Sequence, residues 1–323
     1  MLSFALAALL SAAVITPAPP PPAAPPEQLY KERRFTELRA HAEQRLRDDP
    51  RDAAALFYSG MLALEENREP DKALPLLERA VAIAPDVGVY HTGLGGVLGW
   101  KALRGGLSDK IRYGLRVHGE LSRGVELSPR SVPARMALGQ FYVLAPGIAG
   151  GDLTRGRLQG IELARLDPHA GALLLGQVEE KEERFAEAEQ HYRRSLALAK
   201  DAPERAAADI RLGYLLLRAR RVAEAVTTLE DAAQVLPLEP NSFDSLAEAQ
   251  LAAGRTDAAV ESYRRALAVN PVYEFSLFGL GRALETRGEP AGARDWYQKY
   301  LALVSSGDRA DEARDRVKRL SQR

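Results

Sequence analysis

Cysteine is absent from all 323 residues. That excludes disulfides, a thiolate nucleophile, a thiolate metal site and the acylated cysteine of a bacterial lipoprotein anchor. Net charge is absent too, with 44 acidic and 44 basic residues, which argues against a nucleic-acid surface acting over the whole length. Strand signals are missing, since no stretch sustains period-2 alternation and β-branched runs are few. The five histidines are His41, His91, His118, His169 and His191, and no two stand at the i, i+4 spacing of a helical metal site. No GxSxG, HExxH or EF-hand pattern occurs. GLGGVLG at 93–99 has Leu98 where a dinucleotide loop needs glycine, and no strand precedes it. GGD at 150–152 lacks a P-loop lysine and reads as a turn whose Asp152 caps a helix starting at Leu153. No catalytic residue, metal or cofactor is expected.

Long apolar runs are scarce. The one present, Met1 to Ile15, is broken only by Ser3 and Ser11. It is too short to cross a ~30 Å hydrocarbon core as a helix, but has the length of a signal-peptide h-region. Ser11-Ala12-Ala13 offers small residues for cleavage before Val14, although no Lys or Arg precedes the run. Residues 1–16 are therefore expected to be a signal peptide or a short anchor, and 17–28 a Pro/Ala-rich extended linker. The mature chain is expected to have no membrane span and to be exported, to the periplasm. The alternative is tethering to the membrane by an uncleaved N-terminal segment.

What the chain does contain is a period. Pro237 and Pro271 lie 34 positions apart, with small residues at Ala247, Gly254, Ala259 and Ala266 between them. Two antiparallel helices per unit fit that interval. A small residue in the first helix, A, admits the second, B, and Gly254 ends helix A in the left-handed conformation. Related skeletons occur at 169–198 (Leu175-Gly176, Ala188, Tyr192), 206–237 (Leu212-Gly213, Ala225, Leu229) and 274–303 (Leu280-Gly281, Ala293, Tyr297). Earlier units run Pro50–Pro85, Pro85–Pro129 and Pro129–Pro168, with an insertion around Gly99–Gly114 and an interruption, APGIAGGD, at 145–152. A half unit precedes Pro50, and 305–323 reads as one polar capping helix.

These residues resemble the tetratricopeptide-repeat family from Leu29 to Val304. The segment KIRYGLRVHGELSRGVELSPRSVPARMALGQFY is also similar to the microtubule-regulator group of such proteins, and its continuation through APGIAGGD to exported bacterial repeat proteins. The resemblance implies an all-α, right-handed superhelical solenoid of about seven helical hairpins over 29–304, closed by the cap at 305–323. It implies a non-catalytic scaffold that binds a peptide or partner protein in the concave groove lined by helix A, here in the bacterial envelope. The groove positions would be Gln140, Gln177, Lys181, Tyr214, Arg218, Asn241, Asp244, Phe275, Phe278 and Arg282. Phe275 and Phe278 have the alternative of packing under the cap, whereas Tyr214, Arg218, Asn241 and Asp244 are polar enough to be expected exposed. The subgroup that clamps a C-terminal dicarboxylate uses Lys and Asn where this chain has Leu173 and Gln177, Ile210 and Tyr214, or Asp244 and Glu248, so that clamp is missing.

One local imbalance interrupts the neutrality. Between Lys101 and Arg135 eight basic residues stand against Asp109, Glu120 and Glu126. Arg104, Lys110, Arg112 and Arg116 are the core of this patch, which either steers an acidic partner or pairs with acids of neighbouring units. It supports a second function, a carrier or sensor of a small anionic ligand built on the irregular middle units.

Overall fold

The computed structural model describes residues 24–67, 69–104 and 107–322, with only the backbone for 66, 67, 104, 107, 108 and 110. The expected signal segment, the Val14 cleavage point and most of the linker lie outside the described residues. The described residues form seventeen α-helices and one 3₁₀ turn, with no strand. A short α1 (Pro26–Lys31) and α2 (Phe35–Asp48) make the incomplete first unit. Seven full hairpins follow: α3 (Ala53–Asn67) with α4 (Pro70–Ile83), α5 (Gly88–Arg104) with α6 (Leu107–Leu127), α7 (Val132–Leu144) with α8 (Leu153–Leu166), α9 (Pro168–Lys181) with α10 (Phe185–Leu198), α11 (Ala202–Arg218) with α12 (Val222–Val235), α13 (Pro240–Ala252) with α14 (Thr256–Val269), and α15 (Glu274–Arg287) with α16 (Pro290–Leu303). The terminal α17 (Asp308–Leu320) buries Ala310, Ala313 and Leu320 against the last hairpin. Each helix packs on its neighbours in sequence, the arrangement of a right-handed superhelical solenoid.

Close packing follows the small residues. A side chain added at Gly60 would meet Leu77, at Gly176 Tyr192, at Gly213 Leu229 and at Gly281 Tyr297, each at 2.9 Å or less. Helix B thus lays a large side chain across a bare stretch of helix A, and Leu77, Tyr192, Leu229, Tyr263 and Tyr297 are buried there. The inter-unit prolines Pro50, Pro85, Pro129 and Pro271 sit in the connecting turns, while Pro168 opens its helix, where a missing N–H is harmless.

The corner between helices A and B recurs with one geometry. Arg34, Arg184, Arg221, Arg255 and Glu289 each donate a backbone N–H to the carbonyl five residues earlier. The residue before each of them is left-handed: Arg33, Glu183, Arg220, Gly254 and Gly288, with φ between 56° and 85°. This is the Schellman turn. Gly254 takes the conformation expected of it.

Units three and four depart from the pattern. The stretch expected as an insertion around Gly99–Gly114 is largely helical: α5 has 17 residues and α6 has 21, where most helices here have 14. The interruption at 145–152 is a 3₁₀ turn, Gly147–Ala149, followed by left-handed Gly150. A Cβ on Gly151 would fall 1.8 Å from the Ala145 carbonyl oxygen, so only glycine fits. Asp152 caps α8 as its spacing requires, its carboxylate accepting from the Arg155 N–H at 3.0 Å.

Candidate functional site

Helix A of three consecutive units, together with the terminal helix, walls one cavity of about 370 Å³. Tyr214 comes from α11, Asn241, Asp244 and Glu248 from α13, Phe275, Phe278 and Arg282 from α15, and Arg309 from α17, with Tyr273 just before α15. Six of the residues expected to line the groove therefore meet in one place. Gln140, Gln177 and Lys181 lie on earlier units, and Arg218, four residues beyond Tyr214 on α11, is not among the lining residues.

The floor is aromatic. Phe278 is 5% exposed and packs against Tyr297 and Tyr300, with ring centres 5.5 and 5.4 Å away. Phe275 is 37% exposed and lies 5.4 Å from the Tyr273 ring. The Arg309 guanidinium sits 5.3 Å from the Phe275 ring and 5.5 Å from that of Phe278. Phe278 is thus core beneath the cap, whereas Phe275 offers a face to the groove.

Asp244 contradicts the expectation of exposure. It is 6% exposed, and the Ser276 hydroxyl donates to its carboxylate at 2.6 Å. Burial, more than any other cause, pushes its pKa up to about 7, with Glu248 adding to the rise, while Ser276, Arg309 and Arg282 oppose it. Asp244 lies on the side of α13 that α15 covers, and there the Ser276 hydroxyl makes the burial tolerable. Gln177 is buried too, and its amide has no hydrogen-bond partner among the described residues.

The two groove arginines have a structural task. Tyr192 of α10 donates to Glu180 at 2.7 Å, and Arg218 of the next unit donates to the same carboxylate at 2.8 Å. Tyr263 and Arg282 share Glu248 in the same manner, at 2.8 and 3.4 Å. Tyr297 and Arg316 share Glu285, at 3.0 and 2.7 Å. Each carboxylate joins its own hairpin to the following helix. Sequence reading missed this ladder, although Tyr192, Tyr263 and Tyr297 stand at matching points of their units. It also missed Arg309, because a polar terminal helix gives no sign of which side chain faces inward.

Three of the eight basic residues of the middle units have acidic partners among the described residues. Arg116 donates to Glu78 of α4 at 2.7 Å, Lys101 pairs with Asp71, and Arg123 lies 3.5 Å from Asp86. Arg112 lies 5.6 Å from the ring centre of Tyr113. The side chains of Arg104 and Lys110 lie outside the described residues. Among the described residues, no group of three His, Asp or Glu is disposed to hold a metal ion, and no helix is long and apolar enough to cross a membrane.

Residues 28–87, 173–242 and 245–308 match the model of the tetratricopeptide repeat. The unmatched stretch between 87 and 173 holds the two irregular hairpins. No curated protein is found to match the chain. Among solved structures, the chain is similar to the APC/C hetero-tetramer Cut9–Hcn1, with a TM-score of 0.52 at 17% identity over 91% of this chain and 54% of that one. It thus spans about half the length of that relative. It is also similar to a thermophilic repeat protein of Thermus thermophilus, with a TM-score of 0.51 at 20% identity over 59% of this chain and 95% of that one. At such identities the likeness is one of fold.

Proposed function

The chain belongs to the tetratricopeptide-repeat family, and from that premise we propose that it is a scaffold holding an extended peptide or protein segment in its concave groove, in the bacterial envelope. Members of the family generally act as non-catalytic interaction scaffolds, and the fold itself implies association with other proteins. One observation carries the finer reading: Tyr214, Asn241, Phe275 and Arg309, from four separate helices or their edges, converge on a single cavity. Aromatic and arginine side chains in such a recess are the usual anchors of an interface. Phe275 offers an apolar face, and the Asn241 carbonyl oxygen is already engaged by the Tyr273 hydroxyl at 3.1 Å, leaving its amide N–H groups to a partner backbone. Export rests on the apolar run at 1–15 and the proline-rich stretch behind it.

The experiment is affinity capture from envelope extracts with the wild-type protein and with the Phe275→Ala/Asn241→Ala variant. The reading requires a protein held by the wild type and lost, by tenfold or more, from the variant, while both keep the same helix content and melting temperature. Equal capture by both forms refutes the groove site. N-terminal sequencing of native protein tests export, which requires a start near Val14; Met1 on cytosolic protein refutes it.

A further inference from the structure

The first corner of this solenoid touches a much later unit. Arg33, at the first corner, reaches Glu239 at the start of α13, 206 residues further along, with Nη1 and Oε2 2.9 Å apart. A second junction involves other units. The 69–72 turn, Lys101, Asp109 and Tyr113 line one cavity of about 470 Å³ with Glu274 and the 302–306 segment of the last unit. Lys101 and the two α6 residues come from the long hairpin.

We propose that the long α5–α6 hairpin and the first corner form an interaction surface whose partner is the C-terminal part of the same chain, closing the groove into a ring. The extra length of α5 and α6 then has a purpose. Three and seven residues beyond the usual 14 add about 5–10 Å of helix at 1.5 Å per residue. That reach carries Asp109 and Tyr113 to the cavity they share with the last unit. On its own side Lys101 is fixed by Asp71 and lies 5.7 Å from the Tyr113 ring centre, so the N-terminal wall is pre-formed. At the other contact Arg33 rests 5.4 Å from the Phe35 ring centre, which holds its guanidinium outward toward Glu239.

The closure is a latch. Arg33 keeps about half of its side-chain surface in water and Glu239 about a quarter. An exposed pair of this kind shifts an equilibrium by roughly fivefold at most and weakens with salt. A segment of polypeptide enters such a ring along its axis or through the seam when the latch parts. This holds whatever the groove binds, so it stands or falls apart from the reading above.

The cysteine-free chain makes the test direct. Spin labels on the Lys31→Cys/Leu238→Cys variant report the first junction while leaving Arg33 and Glu239 in place, and labels on Lys72→Cys/Ser306→Cys report the second. A closed ring gives short, narrow distance distributions for both pairs at low salt. Arg33→Glu in the first background lengthens and broadens its distribution, and Arg33→Glu with Glu239→Arg restores it. Long, broad distributions in the unaltered background overturn the ring. A short distance indifferent to both charge reversals overturns the latch.

Discussion

The four units from α9 to α16 and the two between α5 and α8 solve one packing problem by different means. In the later units, glycine or alanine on helix A receives a Tyr or Leu from helix B, and a carboxylate shared between a tyrosine and the next unit's arginine links three of the steps. In units three and four the polar links run through histidine. His91 sits 2.6 Å from Glu120 and 2.8 Å from the Pro85 carbonyl, and His118 lies 3.1 Å from the Tyr142 hydroxyl. Ala149 of the 3₁₀ turn packs where Gly114 of α6 leaves room, so the interruption serves as a wedge between hairpins. Regular units rely on the repeated contact; unit three keeps it where Gly95 of α5 meets Leu121 of α6, and the irregular pair adds bespoke parts around it.

The comparison breaks hardest at Asp244. Its folded pKa of about 7 lies above the ordinary 3.8, so the native state binds the extra proton between those values. Stability contributed by this group is therefore greatest below about pH 4 and falls as pH rises toward 7. Asp244→Asn, which keeps the acceptor for Ser276, should raise stability at pH 8 by up to about 4 kcal/mol, three units at ~1.4 each. The gain should vanish below about pH 4. Melting curves across that range check it, and hydrogen exchange should place the added protection in α13 to α17, not in α5 to α8.

A second contrast is smaller and has opposite signs in the two regions. A Cβ at Gly176 would lie 2.5 Å from the Tyr192 ring, so Gly176→Ala should destabilise by about 1–3 kcal/mol. Gly99, on the long α5, has nothing within 4 Å of the equivalent point. Gly99→Ala should therefore stabilise by about 0.5–1 kcal/mol through helix propensity alone. Denaturant midpoints measured side by side decide it; loss at both positions would mean that the long hairpin packs as tightly as the regular ones. The smallest effect belongs to the ladder. Tyr263→Phe should lower stability by about 0.5–1.5 kcal/mol. In a double-mutant cycle with Arg282→Gln the losses should be non-additive, because both donors use Glu248.

The fold was legible because its signal is repetition: proline, glycine and alanine recur at one interval, and the structure places every expected hairpin. Groove residues were legible as positions on helix A, so Tyr214, Asn241, Phe275, Phe278 and Arg282 could be named before any contact was known. Burial was not. Asp244 and Asn241 occupy the same helix three residues apart, yet one is covered and the other half-open, because Ser276 inside α15 bonds the first while the second meets Tyr273 at the start of that helix, beside the cavity. The long hairpin was visible as an excess of residues, but an excess carries no period to say that it continues the helices rather than leaving them.

The corners of the repeat have one further consequence, for how such a chain can change over evolutionary time. Because two backbone hydrogen bonds hold each turn, the residue at its apex influences stability by roughly 1–2 kcal/mol without redrawing the bend. A glycine there is silent toward everything outside the unit. An arginine or glutamate gives the same bend a side chain at the rim, as at Arg33, Glu183 and Arg220. Substitution at an apex thus adds or deletes a long-range contact in one step while the curvature of the solenoid is inherited unchanged, and Arg33, joined to a residue two-thirds of the chain away, is what one such step yields.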